Sequence, residues 1–280
     1  MGSYPPTPQP EVLPPESEYA PPPPRRPRPS WATAPATYVL VGINCGVFLA
    51  MVVHGAGIWM PSLDQLMLWG ADRPSNILIA GEWWRIVTAM FVHVGLIHLA
   101  TNMWCLWNLG LLAEPLMGSY GLIAAYILTG AAGNLLSTWR NWMWPLRDAS
   151  GMPFFQAGAG ASGAVFGIAA VLIILLKSKR LPVPPAELNK LRRSVIYFAA
   201  INLFIGLSVN FGSGFTGVEI DNSAHIGGFL CGLLFAVPMV PRIGSSRSLF
   251  QSRLRLAVIG MVVLLVLFGF YVAHIPPPQG

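Results

Sequence analysis

Two residues in this chain could together cleave a peptide bond, and each lies at the start of a long apolar segment. Ser162 stands between Gly160 and Gly163, and His225 opens a second segment later in the chain. A serine hydroxyl is a weak nucleophile until a neighbouring base takes its proton, and histidine suits that task near neutral pH. The pair therefore indicates a nucleophile and a general base that work inside a lipid bilayer.

Acyl transfer also requires hydrogen-bond donors that face the negative oxygen of the tetrahedral intermediate. His98 and Asn102 lie four residues apart in a third apolar segment, so they share one helix face. Their side-chain N–H groups are candidate donors, together with the backbone N–H of Ser162 at a helix start. Asn102 could instead hold the bundle together through an interhelical hydrogen bond. The presence of the serine favours the oxyanion role.

The base needs a group that holds its ring in place. Glu219 and Asp221 lie in the loop before His225, and neither is expected to orient the imidazole. Phe166 lies one helical turn after Ser162 on the same face, so its ring is placed to pack against the imidazole. Plain core packing explains Phe166 equally well. The sequence predicts a serine–histidine dyad in which an aromatic or backbone group takes the place of an aspartate.

Glycines recur at four-residue spacing in both segments. Gly163 is followed by Gly167, and Gly228 is followed by Gly232. Such pairs allow two helix backbones to approach closely, although they are common in any membrane bundle. Close approach of these two helices is what a serine–histidine dyad requires.

The rest of the sequence indicates what positions these residues. The 280 residues are 54% hydrophobic and 10% charged, whereas soluble domains carry about 25% charged residues. Seven hydrophobic runs approach the roughly 20 residues that a membrane-spanning helix needs. We therefore predict an all-α polytopic membrane protein. The runs are approximately 37–54, 96–117, 120–139, 160–177, 194–210, 223–240 and 254–274.

Other classes of protein fit the composition poorly. The net charge of +6 is spread between the hydrophobic runs, which favours contact with a membrane surface over nucleic acid. Cys45, Cys105 and Cys231 all fall within hydrophobic runs and show no zinc-ligand spacing. We expect no disulfide framework and no zinc site.

The loop charges predict the orientation. Thirteen of the 17 Lys and Arg residues fall on the side of the membrane that holds the N-terminus, which the positive-inside rule assigns to the cytoplasm. The C-terminus is then outside, after an odd number of spans. In this topology Ser162, His225, His98 and Asn102 all lie near the outer face. A bacterial plasma membrane is the expected location.

Two segments outside the long apolar runs, the N-terminal tail and the first loop, also have distinctive compositions. Residues 1–36 are rich in proline and lack the apolar core of a signal peptide, so we expect a disordered cytoplasmic tail, or a polyproline segment that docks a partner. Segment 55–95 is long and rich in tryptophan, and we expect it to lie in the membrane interface or to dip partway in. Arg85 is expected to tie this loop to backbone carbonyls. Glu114 is expected to be structural, with backbone or hydroxyl donors from the loop that follows it.

These motifs together resemble the rhomboid intramembrane serine proteases over about residues 37–240. The serine segment looks like the family's GxSG motif, and the histidine segment looks like its AHxxGxxxG motif. His98 and Asn102 match its HxxxN oxyanion pair. The further matching residues are His93, the pair Trp84-Arg85 of the first loop, and Gly110, Glu114 and Gly118 of a GxxxExxxG motif. Many relatives carry tyrosine where this chain has Phe166, so the stacking ring is retained without its hydroxyl.

The resemblance implies a six-helix catalytic core over 37–240, followed by a linker and a seventh helix in 241–280. It implies a serine–histidine dyad without metal or cofactor, and substrates that are single-span transmembrane proteins cut near the outer face. We expect a substrate helix to enter past run 194–210, with the glycine-rich loop 211–222 as a moving cap.

Two alternatives compete with the protease. A catalytically inactive relative would bind membrane helices without cutting them, but such relatives typically lack the serine or the histidine. A small transporter or channel would need a polar path to the inner face, and the runs that follow Ser162 and His225 offer almost no polar side chains.

Overall fold

The computed structural model describes residues 34–147, 150–178, 181, 183–212, 221–242 and 246–276. Helices dominate this part of the chain, and the only described strands form a two-residue antiparallel hairpin. The helices are α1 (Pro35–Val53), α2 (Leu63–Leu68), α3 (Pro74–Leu78), α4 (Arg85–Thr88), α5 (Leu96–Met143), α6 (Ser162–Leu175), α7 (Pro185–Gly212), α8 (Asn222–Ala236) and α9 (Arg247–Ala273), and the strands are β1 (Leu146–Arg147) and β2 (Pro153–Phe154). Short 3₁₀ helices follow α4 at Ala89–Phe91 and α8 at Val237–Arg242.

Long apolar helices confirm the predicted all-α membrane protein. Among the described residues, four helices are long and apolar enough to cross a bilayer, and α6 is a shorter apolar helix. The four are Pro35–Val53, Leu96–Met143, Asn222–Val240 and Ser248–Ala273. Only 17% of the apolar part of Ser248–Ala273 is buried, so α9 lies at the periphery of the bundle.

The second and third predicted runs, 96–117 and 120–139, correspond to the two helical segments of α5, which meet at a break. α5 has 48 residues, and Gly118 interrupts it with φ 76° and ψ 165°, a conformation that residues other than glycine rarely adopt. A straight helix of that length would measure about 72 Å, more than twice the hydrocarbon thickness of about 30 Å. The break lets the halves on either side of Gly118 serve as separate spans.

The central helix of the bundle is α6, which packs between α5 and α8. It has only 14 residues, and 11 of them are buried. At about 21 Å it is shorter than the hydrocarbon core. The predicted span 160–177 extends two residues beyond this helix at each end. Because most of its residues are buried, α6 contacts protein on nearly all sides.

The first loop contains short helices and no span. The side chain of Ser62 accepts a hydrogen bond from the backbone N–H of Gln65, and the Gln65 side chain accepts one from the backbone N–H of Ser62, so α2 begins with a capping box. α7 begins at Pro185, nine residues before the predicted run, because its first turns are polar and gave no hydropathy signal. Nothing is described for residues 1–33 of the expected tail 1–36 or for residues 213–220 of the expected cap 211–222, so most of both segments lies outside the described residues.

Candidate functional site

The serine and histidine helices touch backbone to backbone. A Cβ atom added to Gly228 of α8 would overlap the carbonyl of Gly163 in α6, and one added to Gly232 would overlap the carbonyl of Gly167. Gly133 of α5 approaches the same region, where an added Cβ would lie 2.6 Å from the carbonyl oxygen of Ala224. The glycine pairs therefore permit the close approach that the sequence predicted.

The five residues predicted to carry the chemistry line one cavity of 430 Å³. They come from three helices, the first half of α5, α6 and α8. The five are His98, Asn102, Ser162, Phe166 and His225. Asn134, in the second half of α5, lines the same cavity, which places both halves of the broken helix against it.

The imidazole of His225 is held by an aromatic ring. Phe166 stacks on it with ring centroids 4.3 Å apart and an angle of 11° between planes. His225 is 6% exposed, and its Nδ1 atom is buried without a hydrogen-bond partner in the part of the chain that the structure describes. Among the described residues no hydrogen bond joins Ser162 to His225, and catalytic hydrogen bonds are often longer in ligand-free sites. Stacking is therefore the contact that fixes the ring plane.

Two histidines organise the segment before the serine. His98 Nδ1 accepts the backbone N–H of Val94 at 3.4 Å, which leaves the ring proton on Nε2. That edge of the ring lies against Gly160, where an added Cβ would be 3.0 Å from Nε2. His93 accepts the backbone N–H of Ala161 at its Nε2 atom, at 3.4 Å. His98 thus offers an N–H donor beside the serine, and His93 holds the serine's own loop.

Asn102 has one amide hydrogen committed to its own helix. Its Nδ2 atom donates to the carbonyl of His98 at 2.9 Å, so the described contacts include no interhelical bond of the kind that was the alternative. The second N–H of the amide remains for the cavity that Asn102 lines. Ser162 is the first residue of α6, and its backbone N–H has no intrahelical acceptor.

Gly160 needs its lack of a side chain. Its φ of 129° is strained for other residues, and an added Cβ would lie 2.5 Å from Cε1 of His98. Its backbone N–H donates to the carbonyl of Ala89 at 2.9 Å, which ties the serine loop to the 3₁₀ helix of the first loop.

Arg85 and Trp84 lie outside the cavity. Arg85 Nη1 donates to the carbonyls of Met67 at 2.7 Å and Ala71 at 2.9 Å, as the sequence predicted for its contacts with backbone carbonyls. Its Nε donates to Glu82 at 2.6 Å, and this bond lowers the pKa of the Glu82 carboxyl. Trp84 is half exposed and covers the guanidinium at 4.4 Å. These contacts give the pair a structural place in the first loop.

The carboxylate of Glu114 in α5 joins that helix to the start of α1. It accepts hydrogen bonds from the backbone N–H groups of Ala36 and Thr37 at 2.9 and 2.8 Å, and from the hydroxyls of Thr37 and Ser119 at 2.7 and 2.6 Å. The expected source of donors was the loop after it, but three of the four donors come from the start of α1. A Cβ added to Gly110 would meet the side chain of Thr37, so the same contact explains that glycine.

The sequence did not point to Asn134 and Asn202, which line the cavity. Asp221, which was not expected to orient the imidazole, also lines the cavity and caps α8. An aspartate just before an apolar helical run is an N-cap signal that could have identified Asp221. The described residues include no group of three or more His, Cys, Asp or Glu side chains that could hold a metal ion.

Comparisons with known proteins agree with the geometry. A family model described as "Rhomboid domain" matches residues 80–242. Rhomboid protease GluP of Bacillus subtilis is 29% identical over 244 residues, which cover 87% of this chain and 41% of that protein. Rhomboid protease AarA of Providencia stuartii is 28% identical over 213 residues, 73% of this chain and 72% of that protein. Rhomboid-like protease 2 of Toxoplasma gondii is 29% identical over 68% of this chain and 60% of its own length.

Proposed function

This chain belongs to the rhomboid family, and on that premise we propose that it is an intramembrane serine endopeptidase that cleaves single-span transmembrane proteins. The observation that supports the proposal most directly is the packing of α6 on α8 through Gly163 and Gly228, with Ser162 and His225 on one cavity. Relatives whose names describe them as rhomboid proteases support the same activity, although the chain spans only 41% of the first of them.

The proposed chemistry is acyl transfer by a dyad. His225 takes the hydroxyl proton of Ser162 as the serine oxygen attacks the carbonyl carbon of the scissile bond. The tetrahedral intermediate then collapses, and the leaving amine takes the proton from His225. Water, activated by the same imidazole, hydrolyses the acyl-enzyme and restores the serine hydroxyl. The buried Phe166 ring holds the imidazole plane throughout.

Three donors are proposed for the oxyanion. They are His98 Nε2–H, the second amide N–H of Asn102 and the backbone N–H of Ser162, and each belongs to a residue that lines the cavity. Removing one such donor typically slows the reaction about 10² to 10³-fold. We therefore assign His98 and Asn102 to charge stabilisation and leave proton transfer to His225.

A substrate helix would reach this cavity beside α7. Phe198 and Asn202, one turn apart on α7, line the cavity wall. We propose that the substrate enters past this helix and unwinds at its outer end, because the carbonyl of an intact helix is already hydrogen-bonded and shielded.

The proposed setting is a bacterial plasma membrane with the N-terminus in the cytoplasm and the C-terminus outside. The distribution of Lys and Arg supports this orientation. Reporter fusions that are active on one side only, placed at each terminus, would test it. A cytoplasmic signal from the C-terminal fusion would reverse the assignment.

The decisive experiment for the function compares the wild type with Ser162→Ala in liposomes that hold a single-span model substrate. We expect cleavage near the outer end of the substrate helix by the wild type alone, at a rate that rises between about pH 6 and 8. Cleavage by both proteins would point to a contaminant. If neither cleaves, fluorophosphonate labelling of Ser162 decides: a labelled serine indicates an active enzyme with the wrong substrate, and an unlabelled one favours an inactive helix-binding relative.

A further inference from the structure

Asp221 joins the base-bearing helix to its neighbour. It is the N-cap of α8, and its Oδ1 accepts the backbone N–H of Ala224 at 3.0 Å. Its Oδ2 accepts a hydrogen bond from the hydroxyl of Ser137 in α5. Each carboxylate oxygen therefore has its own donor, one on each helix, and the side chain bridges α5 and α8.

The bridge lies one turn from the catalytic base. The backbone N–H of His225 donates to the carbonyl of Asp221 at 3.2 Å, so the residue that caps the helix also receives the first intrahelical bond of the base. Asn141 of α5 donates to the Ser137 hydroxyl at 3.2 Å and orients it toward the carboxylate. This chain of hydrogen bonds anchors the first turn of α8 to α5.

Helix geometry adds an electrostatic effect. His225 is the fourth residue of α8, close to the positive N-terminal end of the helix dipole. That end disfavours the positive charge that His225 acquires when it takes the serine proton. A carboxylate at the N-cap offsets this effect, whereas a neutral cap would leave it unopposed. Among the described residues the base has no hydrogen-bonded carboxylate, and its Nδ1 atom is unpartnered.

We propose that Asp221 is a positioning residue of the reaction, which holds His225 toward Ser162 through its Ser137 and Ala224 bonds and supplies a negative charge beside the developing imidazolium. The proposal rests on the protease function proposed above. The other titratable groups near this site are His98 of α5, which shares the cavity with His225, and Asp72 of the first loop, which interacts electrostatically with Asp221 and with Arg85.

The test measures the rate constant of fluorophosphonate labelling at Ser162 and the kcat and KM of substrate cleavage, with the full-length protein in liposomes. Rates are normalised to the labelled fraction at the end point, so that misfolded protein does not count. Asp221→Ala removes cap and charge, Asp221→Asn keeps a capping oxygen but not the charge, and Ser137→Ala removes only the anchor on α5. The matched control is Ser62→Ala, which removes the exposed cap of α2.

We expect Asp221→Ala to lower kcat and the labelling rate constant roughly tenfold to hundredfold, with KM nearly unchanged, because a small displacement of a catalytic group is enough for such a loss. Ser137→Ala is expected to fall between this variant and the wild type. Asp221→Asn is expected to lose about threefold and to shift the acid limb of the kcat/KM profile to lower pH. Ser62→Ala is expected to match the wild type.

Normalised rates of Asp221→Ala and Ser137→Ala equal to the wild type would overturn the proposal, and so would an equal loss in Ser62→Ala. Should Asp221→Ala fail to fold, the other two site variants decide. Failure of the protease function itself is distinguishable, because the wild type would then neither label nor cleave. If the wild type and the variants are all labelled at the same rate, only the role of Asp221 is rejected.

Discussion

The ring of Phe166 lies face to face with the imidazole of His225, with centroids 4.3 Å apart and planes only 11° apart. Both side chains are buried, and Phe166 lies one turn below Ser162 in α6. The stack therefore joins the helix of the proposed nucleophile to the ring of the proposed base, which has no carboxylate partner among the described residues.

This stack predicts that Phe166→Leu slows catalysis more than it weakens the fold. Aromatic pairs contribute about 0.5–1.5 kcal/mol beyond their buried area, which corresponds to roughly twofold to tenfold in rate if the contact orients the base. Phe166→Tyr keeps the ring and should retain most activity. Cleavage assays beside thermal unfolding in detergent would measure both effects. Equal activity in the leucine and tyrosine variants would show that the ring does not orient His225.

The helix contact at Gly228 predicts a loss of both fold and activity in Gly228→Ala, because the added methyl group would overlap the carbonyl of Gly163. Overpacking of this kind costs about 1–3 kcal/mol. The control is Gly260→Ala in α9, where an added Cβ meets no atom within 4 Å. Unfolding in detergent should show a lower midpoint for the first variant and an unchanged or higher one for the second. A Gly228→Ala protein as stable as the wild type would contradict the contact.

Glu114 predicts a purely structural loss on substitution. Glu114→Gln replaces an oxygen that accepts donors with an amide group that donates, so at least one of the four hydrogen bonds is lost. Hydrogen bonds to charged groups contribute about 1.5–3 kcal/mol. We expect a loss of this size in denaturant unfolding, with the rate per folded molecule unchanged. Glu187→Gln, at an exposed position in α7, is the control and should change stability by only a few tenths of a kcal/mol.

The buried carboxyl of Asp72 leads us to expect a free energy of unfolding that falls as pH rises. Burial raises the pKa of the Asp72 carboxyl well above its ordinary value, and the charge of Asp221 raises it further, while the Gly158 N–H and Arg85 lower it in part. A raised folded-state pKa of an acid means that the folded state binds more protons than the unfolded one between the two pKa values. The stabilisation is complete below the ordinary aspartate pKa and is lost as pH rises through the raised one.

Asp72→Asn removes this titration, so its unfolding midpoint should depend less on pH than that of the wild type across the same range. Asp64→Asn, exposed at the start of α2, is the matched control and should leave the wild-type pH dependence in place. Parallel curves for the wild type and Asp72→Asn would show that Asp72 does not titrate in this window.

Much of the site was predictable because the bilayer makes polar side chains conspicuous. Ser162, His225, His98 and Asn102 stand out in apolar segments, where each needs a polar partner or a wet cavity, and hydropathy identified the spans that hold them. Hydropathy separated the two runs on either side of Gly118, where the helix breaks, but it could not show that α6 ends at Leu175, because apolar composition alone does not set where a helix begins and ends.

The sequence by itself determined the class of protein, the approximate positions of the apolar helices and the polar residues that line the cavity. Only the tertiary structure decided the partners of those residues: Thr37 for Glu114, 77 residues away in sequence, and Ser137 for Asp221, 84 residues away. It also brought the backbone N–H of Val94 to Nδ1 of His98, which favours a proton on Nε2. The physical reason is that a local pattern records the cost of a buried polar group but not which distant group satisfies it.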